Sequence, residues 1–183
     1  VSGLATQASL YVRYNPTTAG SHTGTVTLTS GTTTASINVS GNAVDCSNGI
    51  ASLPFTHDFN DRIAPPSCWN YNNEENFLVL TIDTATNNYA IAVGAVDYLI
   101  TPEIHSTSAM NMSIDYHTYG GINGIEASST FRIGYSSTND NYSSFTWMEP
   151  VVANQTGENF FNYSSVLPAG TKHVAIDITE IGT

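Results

Sequence analysis

The chain has 183 residues, with 4 Lys and Arg against 15 Asp and Glu and a formal charge of −11. An acidic surface of that size repels nucleic-acid phosphates and anionic membranes, so neither nucleic acid nor membrane insertion is expected among its partners. No run approaches the roughly 18 apolar residues that a membrane-spanning helix needs. Hydrophobic content of 40% still suffices for a core, and Ser, Thr and Asn supply 62 residues for strands with polar, uncharged outer faces.

The elements follow one another with period two, the spacing of a strand with one buried and one wet face. "LYVRY" (10–14) alternates Leu10, Val12 and Tyr14; "TGTVTLTS" (23–30) alternates Val26 and Leu28 with threonines. "ASINVS" (35–40) does the same with Ala35, Ile37 and Val39. The compact run Tyr98-Leu99-Ile100, ended by Thr101-Pro102, reads as a short core strand cut off by a breaker. "MNMSIDYHTY" (110–119), "STFRIGYS" (129–136) and "KHVAIDI" (172–178) complete the series. Turn signals separate them at Asn15-Pro16, Ser30-Gly31, Gly41-Asn42, Pro65-Pro66, Gly120-Gly121 and Pro168-Ala169-Gly170. No stretch of ten or more residues carries a helical apolar period, so the fold class is all-β.

A boundary is expected near Ala43 to Asp45, dividing the chain into residues 1–44 and 45–183. The first part is too short for an independent sandwich, which takes about seven strands. Its sequence "YVRYNPTTAGSHTGTVTLTSGTTTASINVSGNA" resembles the C-terminal half of Ig-like domains of secreted Bacteroidetes-type proteins. The second part carries "LPFTHDFND", "PPSCW", "DYLITPEI", "MSIDYHTY", "FRIGYSST" and "LPAGTKHVAI" in that order. This ordered series resembles the cleaved-adhesin or choice-of-anchor-J family, whose members are MAM-like antiparallel jelly rolls found in gingipain-type haemagglutinin-adhesin regions. The fold expected is thus a partial Ig-like sandwich followed by a jelly-roll β-sandwich.

Both ends fall within recognisable patterns, so the chain is expected to be part of a longer protein, with the jelly roll lacking its last strand. A missing strand would leave 172–178 or 10–14 with unpaired backbone groups. Those edges would be met by the continuing chain or by a strand from a neighbouring copy.

Cys46 and Cys68 are the only cysteines. In the extracellular setting that the resemblance implies, an even pair reads as a disulfide, the alternative being two buried thiols. Zinc needs about four ligands, and no His-Cys cluster supplies the others. The resemblance implies a structural calcium ion, for which Asp58, Asn60 and Asp61 are the matching positions, Asn60 taking the acidic place after Phe59. Asn139, Asp140 and Asn141 are a second oxygen-rich run, without the D-x-D-x-D-G order of a dedicated calcium loop.

Catalytic patterns do not assemble. The five histidines are scattered with no H-E-x-x-H pair, and "GYSS" (134–137) lacks the second Gly of a nucleophile elbow. Glu74 and Glu75 read as a solvated acidic loop, and His57 beside Asp58 as a structural hydrogen bond.

What remains is binding by aromatic side chains on loops and concave faces, for which Tyr71, Tyr119, Tyr142 and Trp147 are the candidates. Trp69, beside Cys68, reads as a core residue. Asp83-Thr84-Ala85 resembles the Bacteroidetes O-glycosylation acceptor, so Thr84 is the residue expected to carry the sugar if the native protein is glycosylated; the five Asn-x-Ser/Thr triplets are expected to stay bare. Together these readings describe a non-catalytic extracellular adhesion module, secreted or on a bacterial cell surface, that recognises host protein or glycan. Two alternatives stand beside it. One is an accessory binding domain of a secreted protease or glycosidase, and the other a surface or filament subunit completed by a neighbour's strand.

Overall fold

The computed structural model describes residues 9–83, 88–93, 96–117, 128–153 and 160–180. The chain divides into two compact units, Val1–Asp45 and Cys46–Thr183.

The first unit is an antiparallel hairpin of β1 (Gly20–Ser30) and β2 (Thr33–Ala43), paired residue for residue from Gly20↔Ala43 to Ser30↔Thr33. Gly31 makes its tight turn at φ 59°, a backbone region that favours glycine. Alternation puts Val26 opposite Ile37 and Leu28 opposite Ala35 on one face, with threonines, serines and asparagines on the other. The expected strand at 10–14 is not formed. β1 and β2 pair with each other along their whole length, and no described residue offers 10–14 a partner backbone. Tyr14 packs by its ring instead, against Gly41 and 6.1 Å from the His22 ring.

The second unit is built around one antiparallel sheet. Its strands are β3 (Asn70–Tyr71), β6 (Tyr98–Ile100), β8 (Ser129–Ser136), β9 (Thr146–Trp147), β10 (Val151–Ala153) and β12 (His173–Glu180). The spatial order is β10-β8-β12-β6-β3, with β9 also on β8. β7 (Met110–Tyr116) and β11 (Phe161–Leu167) form a second layer, and β4 (Phe77–Asp83) and β5 (Asn88–Val93) a further pair.

Alternation in β12 sends Val174, Ile176 and Ile178 to one side, where they meet Phe131 and Ile133 of β8 and Met110 and Leu167 of the second layer. Ile133 is fully buried in this cluster, and full burial of such a side chain stabilises the fold by about 1.5–3 kcal/mol. The run Tyr98-Leu99-Ile100 is indeed an interior strand, paired with β3 on one side and β12 on the other.

That same arrangement overturns the expected open edge at 172–178. β12 lies between β8 and β6 and hydrogen-bonds to both, so a strand from a neighbouring copy cannot add there. Its β-branched inner face belongs at the centre of the sheet, where both backbone edges are used.

Cys46 and Cys68 are joined by a disulfide across a sequence separation of 22. It anchors the irregular segment leading to Ile50, whose backbone bridges Ile104. Gly49 sits at φ 50° with a Cβ position that would run into the Glu103 carbonyl, so the chain passes there only as glycine. Closing that loop removes unfolded-state entropy, and reduction of the disulfide is expected to lower unfolding stability by about 3 kcal/mol. Denaturant titrations with and without reductant, alongside thiol counting, check this; free thiols in oxidised protein would contradict it.

Candidate functional site

The side of the main sheet facing away from the core carries a polar and aromatic constellation. Strand register places Asp177 of β12 opposite Arg132 of β8 and opposite Tyr98 of β6. Asp177 is only 4% exposed, and a carboxylate so buried must be paired and hydrogen-bonded to stay charged. Arg132 Nε donates to Asp177 Oδ2 at 2.7 Å, and the Tyr142 hydroxyl donates to the same oxygen at 2.7 Å. Arg132 Nη2 in turn donates to the Tyr142 hydroxyl at 2.8 Å, which closes a triangle of charge-assisted bonds. Burial, and then the bond to Asp177, hold the Tyr142 hydroxyl above its ordinary pKa. Burial alone would lower the Arg132 guanidinium, but the bonds to Asp177 and Tyr142 outweigh it and raise it.

Tyr142 reaches the triangle because the segment after β8 folds back over the sheet as a strap. Its root is Ser136, 1% exposed, whose hydroxyl lies 3.0 Å from Ser144 Oγ and accepts from the Thr138 and Asn139 N–H groups. A 3-10 turn over Tyr142–Ser144 follows. Near it, Asn70 Nδ2 on β3 donates to Asp140 Oδ2 at 3.1 Å, tying the strap to the far edge of the sheet. Beneath the strap Phe145 is buried on Ile100 and Ala175, a second small core.

Trp147 then pairs with Gly134, and glycine is needed there. A Cβ on Gly134 would fall 2.6 Å from the Trp147 ring, so only a bare backbone lets the indole lie against β8. The result is a row of rings. Tyr142 lies 4.8 Å from Tyr98 and 5.0 Å from Trp147 between ring centroids, and the Arg132 guanidinium sits 4.3 Å from the Trp147 ring. Tyr142 is 36% exposed, while Tyr98, Trp147 and Arg132 are half-buried.

Beside this row a second buried carboxylate fixes the neighbouring loop. Asp97, 3% exposed, accepts from the backbone N–H of Asn72, Asn73 and Tyr98 and from Asn76 Nδ2, at 2.7 to 3.2 Å. It holds the β3–β4 connection against the start of β6.

The structure therefore brings Tyr142 and Trp147 together, but not Tyr71, which pairs with Leu99 on the core side of the sheet and packs edge-on to Phe77. Tyr119 and Thr84 lie outside the described residues. Asp58 accepts from Asn60 N and Nδ2 at 3.1 and 2.9 Å, and Asp61 accepts from Ile63 N at 3.2 Å. His57 lies 3.7 Å from Asp61 rather than on Asp58, and its Nδ1 accepts the Phe59 N–H. Among the described residues no three His, Cys, Asp or Glu side chains converge as a metal site. Ser136 of "GYSS" is the buried root of the strap, and Trp69 is half-buried edge-on to His57.

Arg132, Asp177 and Asp97 were not legible as partners. Their signal is a lone charge within an apolar, period-two strand or at its start, as in "STFRIGYS", "KHVAIDI" and "VDYLI".

No protein-family model matches the chain, and no curated protein matches it. Among solved structures it is similar to the K1 cleaved adhesin domain of Lys-gingipain from Porphyromonas gingivalis W83. The identity is 18% and the TM-score 0.50, over 69% of this chain and 89% of that one. The K3 and K2 cleaved adhesin domains of Lys-gingipain are each 15% identical, with TM-scores of 0.47 and 0.45, over 68% of this chain and 88% of theirs. The likeness to K1 establishes the fold as the all-β sandwich of a cleaved adhesin domain, in line with the resemblance read from the ordered segments.

Two outcomes follow from the buried carboxylates. Replacing Asp97 by Ala strands several N–H donors and is expected to cost about 3 kcal/mol in denaturant unfolding, with Asp97→Asn restoring only part. Unchanged stability would mean that water replaces the carboxylate. For Tyr142 the folded pKa is raised, so its contribution is complete below the ordinary tyrosine value of about 10 and is lost as pH rises through the raised value. Tyr142→Phe is therefore expected to flatten the alkaline limb of the stability curve. Parallel curves for both proteins would remove the triangle from that role.

Proposed function

We propose that this chain is a non-catalytic adhesion module of a secreted or surface-displayed bacterial protein, and that it binds host protein or glycan through the strap face of its main sheet. Three features support the reading. The fold is shared with the K1 cleaved adhesin domain of Lys-gingipain. A ledge of Tyr98, Tyr142 and Trp147 with Arg132 presents the residue types that dominate binding energy at interfaces. The third is rigidity: the triangle on Asp177 holds the ledge in place before any ligand arrives, which lowers the ordering cost of association.

The observation that carries the proposal is the ledge itself. Its one exposed ring is locked by its own hydroxyl, and its indole lies where the sheet has a glycine. Polar side chains nearby serve the fold: Ser136 roots the strap and His173 bonds the Thr101 carbonyl at 3.0 Å. The chemistry available at this face is recognition.

Labelled chain applied to cultured host epithelial cells is expected to bind saturably and to be displaced by unlabelled chain. Trp147→Ala should weaken that binding by about tenfold, the effect of losing one aromatic anchor. Val166→Ala, on the exposed face of the second layer, should leave it unchanged. Equal binding by wild type and the Trp147 variant would defeat the assignment of this face.

A further inference from the structure

We infer that the ligand of the strap face is a neutral glycan, with a pyranose ring stacked on Tyr142 and Trp147. The inference rests on the adhesion reading and gives it a ligand class.

Three observations select a sugar. The first is size. The Tyr142 and Trp147 rings pack on each other with centroids 5.0 Å apart and planes inclined at 45°, and of the two Tyr142 is the exposed one, so the aromatic surface on offer is small, of the order of one sugar ring. A pyranose has one face of C–H groups that packs on such rings, whereas a stable protein interface buries about 1,200–2,000 Å² and needs a broader apolar centre. The second is the rim. Asp140 and Asn141, both exposed, directly precede Tyr142 in the strap; Asn70 engages one Asp140 oxygen, and the exposed carboxylate and the Asn141 amide keep further hydrogen-bonding capacity beside the exposed ring. Those are the donors and acceptors that orient hydroxyl groups.

The third is charge, and it selects among sugars. The chain carries −11, which opposes the approach of sialylated or sulfated glycans. The cation at this face, Arg132, is already hydrogen-bonded to the Asp177 carboxylate and the Tyr142 hydroxyl. A sugar acid would find its counter-charge engaged, while an uncharged ring needs none. The pairing leaves Arg132 as a flat support for Trp147 at 4.3 Å. Tyr98, half-buried on β6, packs against the Tyr142 ring with centroids 4.8 Å apart and helps to hold it.

The test is a printed array of matched neutral, sialylated and sulfated glycans, probed with the full chain and its variants. Binding to neutral glycans is expected, with their sialylated or sulfated counterparts weaker. Tyr142→Ala should lose about tenfold or more, and Tyr142→Phe, which keeps the ring, should stay within about threefold. Circular dichroism confirms that each variant is folded. If Tyr142→Ala does not fold, the Trp69→Phe protein carries Trp147 as its sole tryptophan, and the strongest neutral glycan from the array must shift its emission. Preference for acidic glycans, or no change in Trp147 emission, overturns the inference. No array binding together with intact, Trp147-dependent cell binding also overturns it, but leaves the adhesion reading standing with a protein ligand. Loss of both would remove the reading as well.

Discussion

The Asp177 carboxylate, buried in the middle strand of the main sheet, sets most of what surrounds it. A lone carboxylate there would be costly, because desolvation of an ion amounts to several kcal/mol even after relaxation. One of the chain's four basic residues is placed directly across the ladder to answer it. A phenol adds a second bond to the same carboxylate oxygen, and that phenol comes from outside the sheet. Tyr142 can reach it only if the segment after β8 turns back, and once it does, Phe145 is pressed onto Ile100 and Ala175 and Trp147 onto Gly134. A polar requirement thereby organises an aromatic surface.

The two faces of the sheet consequently differ in kind. The core side holds aliphatic and aromatic residues from both layers, tolerant of hydrophobic exchange of similar volume. The strap side depends on specific partners: a carboxylate with a guanidinium, a hydroxyl with both, and a glycine under an indole. Binding surfaces profit from the second kind of construction, since a ledge fixed in advance spends little of its binding energy on ordering. The described residues of the hairpin unit show neither device. Its aliphatic face, with Leu28 and Ile37 about half exposed, is the kind of surface that sheets in sandwiches cover with a second layer.

Much of the fold was legible because period-two alternation records which face is buried. Val174, Ile176 and Ile178 point to the core as their spacing implies, and the strands at 98–100 and 129–136 appear where they were expected. Alternation does not record neighbours. It gives no sign that β12 is interior and so lets its backbone read as an open edge, and it makes a strand of 10–14, with which no described residue pairs. The short strands β3, β9 and β10 have too few residues to show a period at all. At the site, Tyr142 and Trp147 stood out as aromatics near turns, yet what joins them is a contact across 35 residues, from Tyr142 to Asp177. Tyr71 looked equivalent in sequence and lies on the opposite side of the sheet, since neighbouring positions on a strand alternate faces.

Side-chain footprinting of the chain bound to host cells reads out directly whether the strap face meets the ligand. Hydroxyl-radical labelling of free and bound protein, read residue by residue, should show Tyr142 and Trp147 protected on binding. Tyr11, 92% exposed in the hairpin unit, and Val166 on the second layer should label equally in both states. Undiminished labelling of Tyr142 and Trp147 in the bound chain, with protection elsewhere, would place the ligand on another face.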